Sequence, residues 1–63
     1  MKKALKDFKQ GECFRFMKNG SVYFVKRQIP EVYKTQVALV NTGEVFPRSS
    51  DLLVYPVDVN TLY

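Results

Sequence analysis

The 63-residue sequence contains no histidine, no tryptophan and a single cysteine. The lack of histidine removes the usual general base, the commonest metal ligand and the side chain that titrates near neutral pH. One cysteine can form neither an internal disulfide nor a thiolate zinc site. A domain of this size also has little core to spare for a deep catalytic pocket. The composition therefore argues against an enzyme and predicts no metal and no cofactor.

The sequence also lacks a long apolar segment. Its longest apolar run extends from Val37 to Val40, far short of the roughly 20 residues that span a bilayer. The first seven residues carry charges where a signal peptide has an apolar stretch. A single unpaired cysteine also suits a reducing compartment. We therefore expect a soluble cytoplasmic protein that has no membrane partner.

The first of two glycine-containing turns is Asn19-Gly20, which lies between 13–17 and 22–25. Asn-Gly between β-branched and aromatic runs is the strongest short-range hairpin signal, because both residues tolerate a positive φ. A two-residue loop pairs Arg15 with Phe24 and fixes which side chains share a face, whereas a three-residue loop exchanges the two faces. With the two-residue loop, one face holds Phe14, Phe16, Tyr23 and Val25 as the predicted core, and the other holds Cys13, Arg15, Met17, Val22, Phe24 and Lys26.

The rest of the chain supplies three further strands. Residues 41–44 form a weaker turn between strands at 36–40 and 45–46, because Thr42 disfavours a positive φ. Pro30 lies in the longer loop between the two hairpins, since proline cannot donate to a sheet ladder. The last strand is predicted at 52–55, where Pro56 ends it or confines it to a sheet edge.

The predicted strands are short and joined mostly by tight turns, so they must form an antiparallel sheet. A sheet this small removes its exposed edges best by curling into a barrel. We therefore predict a mainly all-β fold, a single five-stranded antiparallel SH3-like barrel at residues 11–57. Residues 1–10 form a basic N-terminal helix or arm, since apolar residues at 4, 5 and 8 have a helix-like spacing. Residues 58–63 form a C-terminal tail.

A set of turn glycines and alternating apolar residues covers most of residues 9–57. It comprises the runs Gly11–Phe16, Asn19-Gly20, Val22–Val25, Thr42–Val45 and Val54–Val57. In these runs the chain resembles small SH3-like β-barrel proteins encoded by tailed bacteriophages, most of them uncharacterised. The resemblance implies a phage source, the cytoplasm of a bacterial host and an accessory role directed at that host. It implies no active site.

One face of the predicted hairpin combines Phe24 with two cations, Arg15 and Lys26. A nucleic-acid base can stack on such a ring while the cations meet phosphates. The alternative interpretation is that Leu5 and Phe8 of the N-terminal segment cover Phe24, because small barrels commonly close one face with a terminal segment.

Positive charge is concentrated in the first half of the chain. Residues 1–34 carry nine Lys and Arg against three acids, a net +6, whereas residues 35–63 carry one Arg against three acids, a net −2. This asymmetry suits a polyanionic partner. A solvated face that keeps a small protein soluble is an equally good interpretation. The candidate nucleic-acid contacts are Lys6, Lys9, Arg15, Phe24, Lys26 and Arg27.

Catalytic groupings are absent from the sequence. Cys13 has no histidine to activate it, and the acidic residues are scattered through predicted turns and strand ends. The leading hypothesis is a non-enzymatic binding module that docks on nucleic acid through its N-terminal half. The alternative is a phage accessory protein that binds and modulates a host protein, with Val32 and Tyr33 of the long loop as candidate interface residues. No small-molecule substrate is expected, and the pattern indicates no particular oligomeric state.

Overall fold

The computed structural model of the protein describes residues 1–57. In that range the chain forms six β-strands and two short 3-10 helices, with no α-helix. The strands are β1 (Lys3–Ala4), β2 (Cys13–Arg15), β3 (Val22–Ile29), β4 (Lys34–Leu39), β5 (Val45–Ser49) and β6 (Leu53–Val57), and the 3-10 helices span Leu5–Asp7 and Pro30–Val32. The mainly β class predicted from the sequence is confirmed. The predicted tail, residues 58–63, lies outside the described residues.

All six strands belong to one antiparallel sheet with the order β1-β6-β2-β3-β4-β5. The last strand therefore returns to pair with the strand that opens the first hairpin. β1 and β5 stand at the two ends of this order, and β1 is only two residues long and pairs with β6 alone. Within residues 1–57 the sheet therefore has six strands instead of the predicted five and is not closed into a barrel by hydrogen bonds, which corrects the expectation that closure removes both edges.

Residues 1–8 form a short strand and a single 3-10 turn rather than the two helical turns that their apolar spacing predicts. Leu5 and Phe8 point into the core, where their exposed fractions are 0% and 5%. The side-chain amide of Gln28 donates to the carbonyl oxygens of both residues, at 2.8 and 3.2 Å. Tertiary contacts therefore replace helical hydrogen bonds in this segment. In residues 1–57 no helix is long and apolar enough to cross a membrane.

The core lies on one face of the sheet, beneath the N-terminal segment. The partly buried rings of Phe16, Tyr23 and Phe46 pack against it. Of the four side chains predicted for the core face of the first hairpin, two are fully buried and two are among these partly buried rings. The face assignment is therefore confirmed. The buried cluster consists of Leu5, Phe8, Phe14, Val25, Val37 and Val54.

The register of the first hairpin differs from the prediction by two residues. Arg15 pairs with Val22 instead of Phe24, so residues 16–21 connect β2 to β3. The Gly20 N–H donates to the Met17 carbonyl at 3.0 Å, and the φ of Gly20 is not positive. The prediction of a tight Asn-Gly turn is therefore wrong, because the chain makes a wider loop at this point. A shift of two residues preserves side-chain alternation, so the predicted assignment of side chains to the two faces is correct although the register is wrong.

A β-bulge at Lys26 interrupts the alternation of β3. Val25 pairs with Val37 of β4, and the next pair along the ladder is Arg27 with Gln36. Lys26 is the additional residue on the β3 side. A bulge of this kind increases the local twist and changes which side chains face the core.

Beyond the bulge, β3 contributes Gln28 to a buried polar network. Thr35 Oγ1 donates to Gln28 Oε1 at 2.6 Å and lies 3.0 Å from Ser50 Oγ. Thr35 and Ser50 are both buried, and no buried side-chain polar atom in residues 1–57 lacks a hydrogen-bond partner. The network joins β3, β4 and the turn after β5 beneath the N-terminal segment.

Candidate functional site

The sheet face opposite the core, which we call the outer face, carries a row of apolar side chains. Phe24 lies at its centre, with Cys13 opposite it on β2 and Ala38 opposite it on β4. Val57 on β6 and Val45 on β5 extend the row across five neighbouring strands. Directly paired residues point to the same side of a sheet, so all five side chains share the outer face. Phe24 is half-buried and stands outside the core cluster.

The N-terminal segment does not cover Phe24. Leu5 and Phe8 pack in the core cluster with Phe14, on the opposite side of the sheet, and the Phe8 and Phe14 ring centroids are 5.6 Å apart. The alternative interpretation from the sequence is therefore wrong. The segment lies on the other side because β1 pairs with β6. Lys3 stands opposite the buried Val54, so the turn that follows β1 passes over the inner face of the sheet.

Three of the predicted cations lie on the same hairpin as the Phe24 ring. Arg15 is on the outer face of β2, where its Nε atom donates to the Gly20 carbonyl at 3.0 Å. Among residues 1–57 this is the only acceptor that the guanidinium finds, so its terminal nitrogens are available to a ligand. Arg27 is exposed on the outer face opposite Gln36, and Lys26 is exposed in the bulge.

No carboxylate lies in any of the six strands within residues 1–57. The acidic residues of this range occur only in the 3-10 helices, the turns and the connecting segments, at Asp7, Glu12, Glu31, Glu44 and Asp51. The strands carry Lys3, Arg15, Lys26, Arg27, Lys34 and Arg48. Lys3 and Arg48 face the core side, because they lie opposite the buried residues Val54 and Thr35, and Lys3 pairs with Glu12 at 3.8 Å. The outer face therefore carries Arg15, Arg27 and Lys34 with no carboxylate from a strand of residues 1–57, and this arrangement attracts anions.

Tyr55 and Lys2 also belong to the outer face, and neither residue is among the contacts predicted from the sequence. Tyr55 is half-buried on β6 and lies directly opposite Arg15. The Lys2 Nζ atom stands 5.2 Å from the centroid of the Tyr55 ring. This position depends on the pairing of β6 with β2, which joins distant parts of the chain, so no local sequence signal reveals it.

Lys6 and Lys9 lie in the N-terminal segment, outside the strands, and each has a carboxylate nearby. The Lys6 Nζ atom is 3.5 Å from the Tyr33 hydroxyl and 3.9 Å from Asp51 Oδ1. The hydrogen bond to Tyr33, assisted by the Asp51 carboxylate, raises the pKa of Lys6 above its ordinary value. The backbone N–H of Lys9 donates to the Glu12 carboxylate. The structure therefore does not bring these two residues together with Arg15 and Phe24.

Val32 and Tyr33, the candidate protein-interface residues, are exposed by 61% and 47%. Tyr33 has a φ of 54° and is the only residue other than glycine with a positive φ in residues 1–57. Its hydroxyl donates to Asp51 at 2.7 Å, and its carbonyl accepts from the Ser50 N–H at 3.3 Å. These bonds hold a left-handed conformation that costs an aromatic residue about 1–2 kcal/mol.

Cys13 lies within the apolar row of the outer face, opposite Phe24. Burial raises the pKa of its thiol, which disfavours the reactive thiolate. In the part of the chain that the structure describes, no group of three or more His, Cys, Asp or Glu side chains could hold a metal ion. The local chemistry of Cys13 is that of a small apolar side chain.

Comparison of the chain with protein-family models, with curated proteins and with solved structures finds no match.

Proposed function

We propose that the protein is a non-enzymatic binding module that docks on nucleic acid through the outer face of its first hairpin. The observation that carries this proposal is the half-buried Phe24 ring in a sheet whose strands, as described for residues 1–57, bear cations and no carboxylate. Ring and cations complement the two parts of a nucleic acid that are independent of sequence, the base faces and the phosphates. The site offers charge and a stacking surface.

The predicted contacts have different roles in this proposal. Phe24 provides the stacking surface, and Arg15, Lys26 and Arg27 meet phosphates. Lys6 and Lys9 contribute only long-range attraction, because both lie outside the strands that carry Arg15 and Phe24 and the Asp51 carboxylate offsets the charge of Lys6. Salt screens such exposed charges over about 8 Å at physiological ionic strength, so their effect declines as salt is added.

The experiment is fluorescence anisotropy with labelled nucleic acids across a salt series. Two double variants with equal net charge provide the comparison, Lys26→Gln/Arg27→Gln and Lys6→Gln/Lys9→Gln. Each lost phosphate contact lowers the slope of log affinity against log salt by about 0.7 for a single strand and about 0.9 for a duplex. We expect the slope of the first variant to decrease by the amount for nearly two phosphate contacts, and the slope of the second variant to change little.

Equal losses in both variants would show that net charge alone governs binding. Binding that vanishes for every nucleic acid by about 0.15 M salt would overturn the proposal, because only generic attraction would remain. A Phe24→Ala variant tests the ring. It should weaken binding and leave the circular dichroism spectrum unchanged, whereas unfolding would make Phe24 a residue of the fold.

A second candidate function is binding to a host protein through the exposed loop. The strained, exposed Tyr33 beside Val32 favours it, because backbone strain that is held in place by several bonds is often found at functional sites. Capture from nuclease-treated bacterial lysate separates the two candidates. A stoichiometric host protein that is retained by the natural chain and lost with Val32→Asp would favour this second function.

We also propose the SH3-like arrangement and the phage source as the family-level description of the chain. The support for the arrangement is the strand order, in which β6 pairs with β2 and β3, β4 and β5 follow in chain order. A single core on one face of the sheet is consistent with it. An experimental structure in which the sheet lies flat, with β1 and β5 far apart, would contradict the arrangement.

A further inference from the structure

The outer face carries two aromatic rings, on the two strands that flank β2. Phe24 lies on β3 opposite Cys13, and Tyr55 lies on β6 opposite Arg15. The two rings are therefore separated by two strand spacings across the sheet and by two residues along it. Standard strand dimensions put their Cα atoms about 12 Å apart. Both side chains are half-buried, so each ring keeps an exposed part.

From this spacing we propose that the outer face binds an extended single-stranded nucleic acid, with one base on Phe24 and another on Tyr55. The inference rests on the proposed function and specifies its ligand. Neighbouring bases in a stacked helix rise by about 3.4 Å, much less than the separation of the two rings. The bound strand is therefore opened out between them. A duplex keeps its base faces inside the stack and cannot offer them to either ring.

Arg15 supplies the phosphate contact between the two rings. It lies directly opposite Tyr55 and diagonally from Phe24, and the Gly20 carbonyl fixes its Nε atom at 3.0 Å. Lys2 provides a second cation at the Tyr55 end, where its Nζ atom lies 5.2 Å from the ring centroid. Because Lys2 is exposed, its side chain can move from the ring to a phosphate when a base arrives.

The same surface predicts weak sequence preference. Apart from Arg15, which is assigned to a phosphate, the residues paired with or next to the two rings are Cys13, Val22, Ala38 and Val57, which lack side-chain groups that read base edges well. Recognition by stacking and charge tolerates every base, since each has a π face. Single-stranded DNA and RNA share this chemistry, so separate arms of the experiment use each.

The experiment measures the affinity of the full chain for a fluorescently labelled oligo(dT), an oligo(rU) and a DNA duplex of equal length at fixed salt. We expect both single strands to bind more tightly than the duplex. Phe24→Leu and Tyr55→Leu should each weaken single-strand binding between about 5-fold and 150-fold, the range expected for one stacked base. Duplex binding should be unchanged. A preference between the two single strands identifies the natural source of the ligand.

Two controls keep the test specific. Tyr55→Phe retains the ring and should keep the single-strand affinity, even if a leucine variant proves unstable. Leu52→Ala removes a partly exposed apolar side chain from the turn between β5 and β6, outside the row that holds Phe24, and it should leave binding unchanged. Equal affinity for duplex and single strands, with no effect of either leucine variant, would overturn this inference and leave nucleic-acid docking intact. Failure of every nucleic acid to bind would overturn both.

Discussion

At the scale of single residues, the two turn glycines have opposite structural roles. Gly43 has a φ of +75°, and its N–H donates to the Leu39 carbonyl at 2.7 Å. A β-carbon built on Gly43 meets nothing within 4 Å, so the cost of Gly43→Ala is backbone strain alone. We expect a loss of about 1–2 kcal/mol in the free energy of unfolding, the usual penalty for a left-handed alanine.

The matched variant is Gly20→Ala. Gly20 has no positive φ, and a β-carbon there lies 3.4 Å from the nearest atom, at ordinary van der Waals distance. Alanine also reduces the entropy of the unfolded chain, so this substitution should be neutral or stabilise by up to about 1 kcal/mol. Urea denaturation of both variants checks the pair. A larger loss at Gly20 than at Gly43 would show that Asn19-Gly20 is the tight turn that the sequence suggests.

At the scale of elements, the N-terminal segment is part of the hydrophobic core rather than an appended arm. Leu5 is fully buried, and Gln28 holds the carbonyl oxygens of the segment from below. Leu5→Ala should therefore cost about 2–5 kcal/mol, as expected for a buried leucine. The total stability of a chain this short is about 3–9 kcal/mol, so the variant loses a large part of it.

The control for this prediction is Leu53→Ala, on the outer face of β6, where the side chain is 55% exposed. It should cost less than about 1 kcal/mol, because little apolar surface is lost from the core. Chemical denaturation followed by circular dichroism measures both. Similar losses in the two variants would mean that residues 1–8 do not stabilise the sheet.

The first hairpin shows which properties of an element a sequence determines. Alternation of apolar and polar residues places Phe14 and Val25 in the core, and it does so with the register two residues in error. The pairing error arises because Asn-Gly is compatible with several loop lengths, and the Arg15 bond to the Gly20 carbonyl helps to stabilise the wider one. The bulge at Lys26 has no local signature, so the inward position of Gln28 could not be predicted.

At the scale of the whole molecule, contacts between the ends of the chain are what sequence reasoning missed. The pairing of β6 with β2 places Tyr55 beside Arg15, and the pairing of β1 with β6 directs Leu5 over the inner face. Neither pairing joins neighbouring segments. The candidate site was therefore predictable where it lies on one hairpin before the bulge, at Phe24 and Arg15, and unpredictable where it depends on the bulge or on the last strand.

β5 lies at one end of the strand order, so its outer edge could pair with a strand of another molecule. The Leu39 N–H donates to the Glu44 carbonyl, so these two residues form a hydrogen-bonded pair. In an antiparallel ladder, hydrogen-bonded pairs alternate with pairs that exchange no hydrogen bonds. Gln36 and Pro47, three pairs further along, therefore form a pair that exchanges none. The nitrogen of Pro47 therefore faces the edge of β5 that no other strand of residues 1–57 covers. Because proline has no N–H, this edge lacks the donor in its middle that another strand would use.

Pro47→Val should restore that donor and promote association of the whole molecule through β5. An antiparallel pair of such edges gains two hydrogen bonds of about 1 kcal/mol each, which increases the association constant about 30-fold. Sedimentation velocity over a concentration series compares the variant with the natural chain. Pro47→Lys restores the same donor with a charge that opposes pairing, and it should behave like the natural chain. Unchanged sedimentation of the valine variant would show that contacts other than Pro47 protect the edge.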